Sequence, residues 1–261
     1  MTDRSNTQGR VALITGAAGG IGAATARAMA ASGITVVGAD IDRAGGERVF
    51  FDLGSPHRFK QLDVRSDAEW RALVAEIVAE FGRLDILHLN AGVMVRPKGA
   101  PLFDDTIPWL TVEGYHKVRE VNLDGVVYGV LATLGAPGLT NIVITASAAA
   151  ILPLEMDPYY TATKFAELGF GLAMAPLLEP RGIRVDVICP GAIDTPITAP
   201  DVRDMLKQEP PTLIAESVLA LINGAEKGSV WLALNEQSGL QKYDVPGLPG
   251  MSAALDLVEE N

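Results

Sequence analysis

The chain has 261 residues, of which 48% are apolar, and its 21 basic and 32 acidic residues give a net charge of −11. This length and apolar content suffice for a substantial core, and the absence of a lysine and arginine cluster that would follow a phosphate backbone argues against a nucleic-acid partner. The polar start MTDRSNTQGR and the lack of an apolar run near the ~18 residues of a membrane span indicate neither a signal peptide nor a membrane partner, so we expect a cytoplasmic protein.

Apolar stretches alternate with helical patterns along the whole chain. This regular alternation favours a parallel sheet with helices on both faces. We find no repeat or linker, so one domain over 1–261 is expected, with a core over about 9–244 and a variable tail over 245–261. The predicted strands are VALIT (11–15), ITVVGA (34–39), LDILHLN (84–90), NIVITAS (141–147), IRVDVIC (183–189) and SVWLAL (229–234), with a weaker seventh at RFKQLDV (58–64).

A glycine-rich turn joins the first predicted strand to the first helix. Gly16, Gly20 and Gly22 allow a tight turn and bring backbone N–H groups and the positive helix end close to a diphosphate. A turn that serves only close helix packing is the alternative. Asp40 ends the second strand, where an acid accepts hydrogen bonds from ribose hydroxyls and repels a 2′-phosphate, which favours NAD over NADP. Asp42, or a solvated turn at Asp40, remains the alternative.

The clearest helix begins at a capping box formed by Ser66 and Glu69 and ends at Gly82. Its apolar residues recur with the helical period. They are Trp70, Leu73, Val74, Ile77, Val78 and Phe81.

Two stretches, 93–111 and 190–211, are rich in proline or glycine and resist regular assignment. Both follow the carboxyl ends of predicted strands, where open α/β sheets bind ligands. We expect them to frame a substrate site. The stretch after about Asp244 has no strong core pattern.

The stretch DPYYTATKFAE (157–167) carries a candidate acid/base pair. On a helix Tyr160 and Lys164 lie on one face, whereas Tyr159 is rotated away. A tyrosine hydroxyl ordinarily ionises only near pH ~10, and a neighbouring ammonium favours the ionised form. A solvated lysine beside a half-buried ring is the alternative reading.

The single cysteine and the three histidines indicate no metal site. Cys189 lies inside an apolar strand pattern and is predicted to be a small buried residue. His57, His88 and His116 show no metal-ligand spacing with one another or with Cys189.

The joint occurrence of five motifs in order resembles the short-chain dehydrogenase/reductase family over roughly residues 9–195. These motifs are the G-x-x-x-G-x-G turn, NAG at 90–92, Ser147, Tyr160 with Lys164, and PGAIDT at 190–195. The resemblance implies a Rossmann-type, doubly wound, parallel seven-stranded sheet in a three-layer α/β/α fold, with strand order 3-2-1-4-5-6-7. It also implies an NAD-dependent enzyme that interconverts an alcohol and a ketone, assembled as a homodimer or homotetramer through two long helices.

The resemblance also implies roles for individual residues. Tyr160 matches the general acid/base, Lys164 the residue that favours its ionised form and holds the nicotinamide ribose, and Ser147 the hydroxyl that steadies the reacting oxygen. Asn122 matches the asparagine that supports a water chain with Lys164; the alternative is a polar residue bonded to the backbone. The expected catalytic residues are therefore Ser147, Tyr160, Lys164 and Asn122.

The cofactor site follows from the same resemblance. Asp63 matches the acid that contacts adenine, and Asn90 the residue that braces the central strand; a turn or strand-end cap is the alternative for both. Thr195, and the backbone of Ile193, match the residues that bind the carboxamide. The expected NAD contacts are Gly16, Gly20, Ile21, Gly22, Asp40, Asp63, Val64, Asn90, Ala91, Gly92, Tyr160, Lys164, Pro190, Gly191, Ile193 and Thr195.

The predicted substrate pocket is mostly apolar, which favours a hydrophobic secondary alcohol or ketone over a sugar or a charged acid. An ordinary loop core is the alternative. The stretch between Thr195 and Pro210 is short for a lid and suggests an open or partner-completed site. The expected pocket residues are Met94, Val95, Ile151, Leu152, Met156, Tyr159 and Ile197.

Some segments depart from the family pattern. HLNAGV stands where NNAG is common, and we expect His88 to be a sheet residue; Pro176 removes a helix donor and is expected to bend its helix. The segments EPPTLIAESVLALI and GSVWLALNEQSGLQKYD are similar to the ending of 15-hydroxyprostaglandin dehydrogenase. Two rival functions stay open, an NADPH-preferring reductase and a non-catalytic dinucleotide sensor, and sensors of that kind typically lose the tyrosine or the lysine.

Overall fold

The computed structural model describes residues 9–97, 99–205, 207–224 and 229–245, so all of the predicted tail except Val245 lies outside the described residues. The described chain contains eight strands in one sheet. They are β1 (Val11–Thr15), β2 (Thr35–Asp40), β3 (Arg58–Gln61), β4 (Ile86–Leu89), β5 (Asn141–Thr145), β6 (Arg184–Pro190), β7 (Val230–Ala233) and β8 (Leu240–Lys242).

The strand order is β3-β2-β1-β4-β5-β6-β7-β8. The first seven strands are parallel, which confirms the Rossmann-type α/β fold and the predicted order. The prediction of seven strands was wrong, because β8 adds an antiparallel edge beside β7. This strand has three residues with the sequence LQK, which is too short and too polar to give an apolar pattern.

Helices cover both faces of the sheet. Alternate side chains of each strand enter two separate cores, so that Leu13 packs with the helices of one face and Ile14 with those of the other. The helices of the described residues are α1 (Gly20–Ala31), α2 (Arg43–Leu53), α3 (Asp67–Phe81), α4 (Val112–Arg119), α5 (Gly125–Thr133), α6 (Pro158–Leu178), α7 (Pro200–Met205) and α8 (Pro211–Ile222). The first face holds α3, α5 and α6, and the second holds α1, α2 and α8.

Helix α3 begins and ends where the sequence predicts. Ser66 is the N-cap, its hydroxyl accepts the Glu69 N–H at 3.2 Å, and Gly82 ends the helix in the left-handed conformation. The Glu69 side chain does not complete the capping box, since it accepts the N–H of Asp63 instead. It thereby fixes the end of β3 to the start of α3.

A π-helical turn at Glu120–Asp124 separates α4 from α5. Such turns are often found at functional sites because they displace a side chain from the regular helical face. Here the turn contains Asn122, which is fully buried.

The two irregular stretches meet above the carboxyl edge of the sheet. The Asp201 carboxylate, on α7, accepts the N–H groups of Leu102 and Phe103 at 2.8 and 3.0 Å. A small apolar cluster joins the same segments and consists of Leu102, Ala199 and Val202 with Met94 and Met156. In the described residues no helix is both long and apolar enough to cross a membrane.

Candidate active site

The glycine turn is shaped by close contacts that exclude side chains. Gly16 and Gly20 have positive φ angles of 67° and 52°. A Cβ on Gly22 would lie 2.1 Å from the Gly16 carbonyl oxygen, and one on Gly20 would lie 3.2 Å from the Thr195 side chain. The N-cap of α1, Gly19, has no side chain to cap the helix. This turn fits a diphosphate, because backbone N–H groups at the helix start have no competing side-chain acceptor.

Asn90 fixes the turn to the central strands. Its side-chain amide donates to the carbonyl oxygen of Thr15 at 3.0 Å, and its N–H and that of Ala91 both point to the Thr15 hydroxyl. A Cβ built on Gly92 would lie 3.6 Å from both Lys164 Nζ and Asn122 Oδ1. The NAG segment therefore connects the glycine turn to the predicted catalytic residues.

Asp40 lies at the end of β2 beside the glycine turn. Its carboxylate accepts the N–H groups of Ala18 at 3.0 Å and of Asp42 at 2.9 Å. Asp42 has a different task, since its carboxylate accepts the Gly45 N–H and caps α2. Of the two acids considered from the sequence, Asp40 is the one next to the turn.

Asp63 and Val64 follow β3. The Asp63 carboxylate accepts hydrogen bonds from two side-chain nitrogens of Arg65, and these bonds hold the pKa of Asp63 below its ordinary value. Val64 is buried and its carbonyl accepts the Trp70 indole N–H. Both residues have structural partners here, and a carboxylate has further acceptor capacity for an adenine amine.

The segment after β6 closes the site from the other side. Gly191 donates to the Ala233 carbonyl, and a Cβ on it would lie 2.7 Å from the carbonyl oxygen of Leu234. The Ile193 carbonyl accepts the Thr198 hydroxyl at 2.7 Å. With Pro190 at the end of β6, these contacts place Thr195 against the glycine turn. A groove of about 620 Å³ lies between this segment, the start of α1 and the start of α8. Ile21 follows the groove residue Gly20, and its side chain packs against the core of the second face.

Ser147 and Tyr160 occupy the ends of two elements after β5. Ser147 caps a short 3₁₀ turn, and its hydroxyl oxygen accepts the Ala149 N–H at 3.1 Å. Tyr160 is half-buried in the first turn of α6, where its N–H donates to the Asp157 carboxylate at 2.9 Å. The other carboxylate oxygen of Asp157 accepts the Val95 N–H at 2.8 Å. Burial raises the pKa of Asp157 against these hydrogen bonds.

Lys164 is buried one turn after Tyr160, and its side chain is 4% exposed. Its Nζ lies 5.5 Å from the centre of the Tyr160 ring. Nζ donates to the Thr145 carbonyl at 3.0 Å and to both carboxylate oxygens of Glu167 at 2.9 Å. The lysine is thus a paired internal cation beside the tyrosine, not a solvated surface residue. No sequence motif indicates a role for Glu167, and the available signal is its place three residues after Lys164 on the same helix face.

Asn122 is held between α6 and the loop after β4. Its amide oxygen accepts the Val93 N–H at 2.8 Å, and its nitrogen donates to the Val93 carbonyl and to the Thr163 hydroxyl, each at 3.0 Å. The amide therefore fixes the backbone that leads into the 93–111 stretch.

The predicted pocket residues do not all meet. Met94 and Met156 share the small cluster beneath α7, while Val95 is buried and Tyr159 packs edge-on against Tyr115 at 5.7 Å. Ile151 packs against the core of the first face. Leu152 and Ile197 are exposed, at 77% and 40%.

His88 and Cys189 are buried in the sheet, as the sequence indicates for a strand histidine and a strand cysteine. His88 Nε2 lies 2.8 Å from the Thr145 hydroxyl, and burial lowers the His88 pKa to about 3. Burial raises the Cys189 pKa to about 11. At neutral pH both are uncharged.

Comparison with known proteins identifies the family. A model of the short chain dehydrogenases matches residues 10–206, which is more than half of the chain. The chain belongs to the short-chain dehydrogenase family. It is also 37% identical over 193 residues to a 3-alpha-(or 20-beta)-hydroxysteroid dehydrogenase of Mycobacterium tuberculosis, covering 73% of this chain and 71% of that protein.

Other relatives of this short-chain dehydrogenase cover more of its length. The 2,5-dichloro-2,5-cyclohexadiene-1,4-diol dehydrogenase LinX of Sphingobium indicum is 33% identical, over 95% of this chain and 98% of that protein. The cis-4-hydroxycyclohexanecarboxylate dehydrogenase of Sinomonas cyclohexanicum is 34% identical, over 83% and 90%. A 3-ketoacyl-(acyl-carrier-protein) reductase of Brucella melitensis, crystallised with NADH, has a TM-score of 0.78 and 29% identity, over 88% of this chain and 99% of that one.

The family and these relatives show that the chain is an oxidoreductase that interconverts alcohols and ketones with a nicotinamide cofactor. The predicted likeness of the C-terminal segments to 15-hydroxyprostaglandin dehydrogenase stays a prediction.

Proposed function

We propose that this chain is a single catalytic domain that oxidises a hydrophobic secondary alcohol with NAD, and reduces the matching ketone in reverse, through Ser147, Tyr160, Lys164 and Asn122. The observation that carries the proposal is the buried Lys164 ammonium, which lies 5.5 Å from the centre of the Tyr160 ring and next to the NAG segment. A cation in this position stabilises the negative charge that forms on a neighbouring oxygen during proton transfer.

Each residue has a defined task in this proposal. The nicotinamide ring, when bound, accepts or supplies the hydride. Tyr160 takes the hydroxyl proton of the alcohol as a general base, and the Ser147 hydroxyl stabilises the charge that develops on the same oxygen. Lys164 holds the nicotinamide ribose, and Asn122 fixes the loop that borders the site.

The charge beside the glycine turn favours NAD over NADP as the cofactor. Asp40 places a carboxylate beside the glycine turn, where it accepts the ribose hydroxyls and repels a 2′-phosphate. The nearby Arg43 is paired with Glu47 at 2.7 Å, one turn along α2. Because the Asp40 carboxylate is the group that repels a 2′-phosphate, loss of its charge is expected to admit NADP.

The apolar lining of the pocket and the substrates of the relatives both bear on the substrate class. The cluster beneath α7 is apolar, and it lies between the two stretches that border the site. The three related dehydrogenases described above are each named for a cyclic compound that carries a hydroxyl group. We therefore favour a cyclic secondary alcohol over a linear one.

We also propose that the chain forms a homodimer or a homotetramer through α5 and α6. Three large apolar side chains on α5 and α6 are exposed, namely Leu131, Phe165 and Leu177. A second copy that covers these helices would bury them. Light scattering coupled to size exclusion measures the subunit count.

The experiment compares NAD and NADP turnover on a panel of secondary alcohols: substituted cyclohexanols, a hydroxysteroid, linear 2-octanol and a sugar alcohol. We expect NADH formation with the cyclic alcohols and little NADPH formation. Asp40→Asn should raise the ratio of NADP to NAD turnover, whereas Asp42→Asn, the matched change at the α2 cap, should leave it unchanged.

The rival functions predict other results. An NADPH-preferring reductase would turn over faster with NADP in the wild type. A dinucleotide sensor would bind NADH without converting any alcohol on the panel. Either result would contradict the proposed function.

A further inference from the structure

Glu167 is a buried acid that packing alone does not explain. It belongs to the buried stripe of α6 that faces the sheet, together with Lys164, Leu168 and Gly171. This stripe packs closely, since a Cβ on Gly171 would lie 2.2 Å from the Val187 side chain. An apolar residue would suit such a position, and burying a carboxylate is unfavourable unless it has partners.

The partner of Glu167 is Lys164 alone among the hydrogen bonds of the described residues. The Glu167 side chain is 1% exposed, and both of its oxygens lie 2.9 Å from Lys164 Nζ. The Thr145 carbonyl supplies one more acceptor at 3.0 Å. The ammonium, which is a donor of three hydrogen bonds, is thereby held between α6 and the end of β5.

The charges around this pair are few. Burial by itself lowers the pKa of Lys164, but the charge of Glu167, followed by that of Tyr160, raises it overall. Burial raises the pKa of Glu167 to about 7 against the attraction of Lys164. Among the described residues, Cys189 of β6 interacts electrostatically with both Lys164 and Glu167, and the neutral His88 of β4 contacts the Thr145 hydroxyl at 2.8 Å.

We propose that Glu167 is a positioning residue that keeps Lys164 charged and fixed at the carboxyl end of β5, and so maintains the cation beside Tyr160. This role rests on the proposed function, because it acts through the acid/base pair. Without Glu167 a buried ammonium would have no counter-charge, and such groups release their proton more easily.

The first test needs no cofactor and no substrate. Lysines are labelled with ¹³C at Cε, Lys164 is assigned by its loss in Lys164→Met, and its resonance is titrated in the wild type and in Glu167→Gln. We expect the Lys164 titration to move to lower pH in Glu167→Gln. The matched control is Glu216→Gln, an exposed acid on α8, which should leave it in place.

The second test measures turnover of the best cyclic alcohol against pH. For Glu167→Gln we expect kcat to fall by about tenfold to a hundredfold, which is less than or equal to the lower limit of a full acid/base contribution of about 10²–10⁴-fold. We expect kcat to fall further as pH rises, because Lys164 loses its proton. A variant with a smaller folded fraction would lose kcat equally at every pH. Glu167→Asp, which retains a carboxylate, should recover part of the activity, with KM for NAD changed less than kcat.

The outcomes separate this role from the proposed function. A folded Glu167→Gln with the wild-type Lys164 titration, or with the wild-type pH profile, would overturn the role of Glu167. If Glu167→Gln does not fold, the same comparison uses Glu167→Leu, which also removes the carboxylate, and a wild-type titration and profile in that variant would overturn it. A wild type that converts no alcohol would instead overturn the proposed function, and this is seen before any variant is compared.

Discussion

Replacement of Asp157 tests the coupling between the catalytic helix and the loop above the sheet. Asp157 is fully buried. One of its oxygens caps α6 at the Tyr160 N–H, and the other accepts the Val95 N–H. Asp157→Ala removes an N-cap, which is worth about 0.5–2 kcal/mol. It also leaves a buried N–H without an acceptor, which costs about 1–3 kcal/mol. We therefore expect the free energy of unfolding to fall by about 2–4 kcal/mol.

A helix cap without the second bond is the matched control. Ser66 caps α3 through the Glu69 N–H, away from Tyr160. Ser66→Ala should lower the free energy of unfolding by about 1 kcal/mol. Urea unfolding of both variants, followed by circular dichroism, gives the two values under the same conditions.

The same variant should change catalysis. Because Asp157 fixes the first turn of α6, Asp157→Ala should lower kcat with secondary alcohols, while Ser66→Ala should leave kcat unchanged. Asp157→Asn, which retains an oxygen acceptor, should lie between Asp157→Ala and the wild type in stability. If Asp157→Ala loses no more stability than Ser66→Ala, the reasoning that Asp157 joins two segments is refuted.

Further predictions address the turn, the sheet and the loops. Gly22→Ala should fold poorly because its Cβ would lie 2.1 Å from a carbonyl oxygen, whereas Gly169→Ala, with open space on α6, should raise the melting temperature. Burial lowers the pKa of His88 to about 3 in the folded protein, so between pH ~6.5 and this value His88 is protonated in the unfolded chain but not in the folded one. The free energy of unfolding should therefore fall by up to about 1.4 kcal/mol for each pH unit below pH ~6.5. Denaturant titrations from pH 5 to 7 should show a shallower loss in His88→Gln; an unchanged slope would contradict this. Asp201→Ala should speed proteolysis of the 99–106 segment, while Asp105→Ala, which loses a local bond to Ile107, should not; equal cleavage rates would contradict the link between the two stretches.

The fold was largely readable from the sequence because its signals are local and repeated. The parallel strands are buried on both faces and read as short apolar runs, as in VALIT and NIVITAS. The N-cap Ser66 and the terminating Gly82 fixed the bounds of α3. β8 could not be found in this way, because its three residues pair only at the edge of the sheet and bury little.

The site was readable only in part, because partners distant in sequence determine it. Spacing alone puts Tyr160 and Lys164 on one face, but it does not reveal that Lys164 is buried or that it forms an ion pair with Glu167. The helical pattern around Asn122 contains no sign of the π-helical turn. Asp157 resembles an ordinary helix cap until the structure shows its bond to Val95, 62 residues away.

The central claim is that Tyr160 performs the proton transfer. Its most direct test is Tyr160→Phe, with Tyr159→Phe as the control, measured for NADH binding by fluorescence and for oxidation of the best cyclic alcohol. We predict that Tyr160→Phe binds NADH as the wild type does and loses turnover by about 10²–10⁴-fold, while Tyr159→Phe retains turnover. A Tyr160→Phe enzyme that oxidises the alcohol at the wild-type rate would contradict the claim.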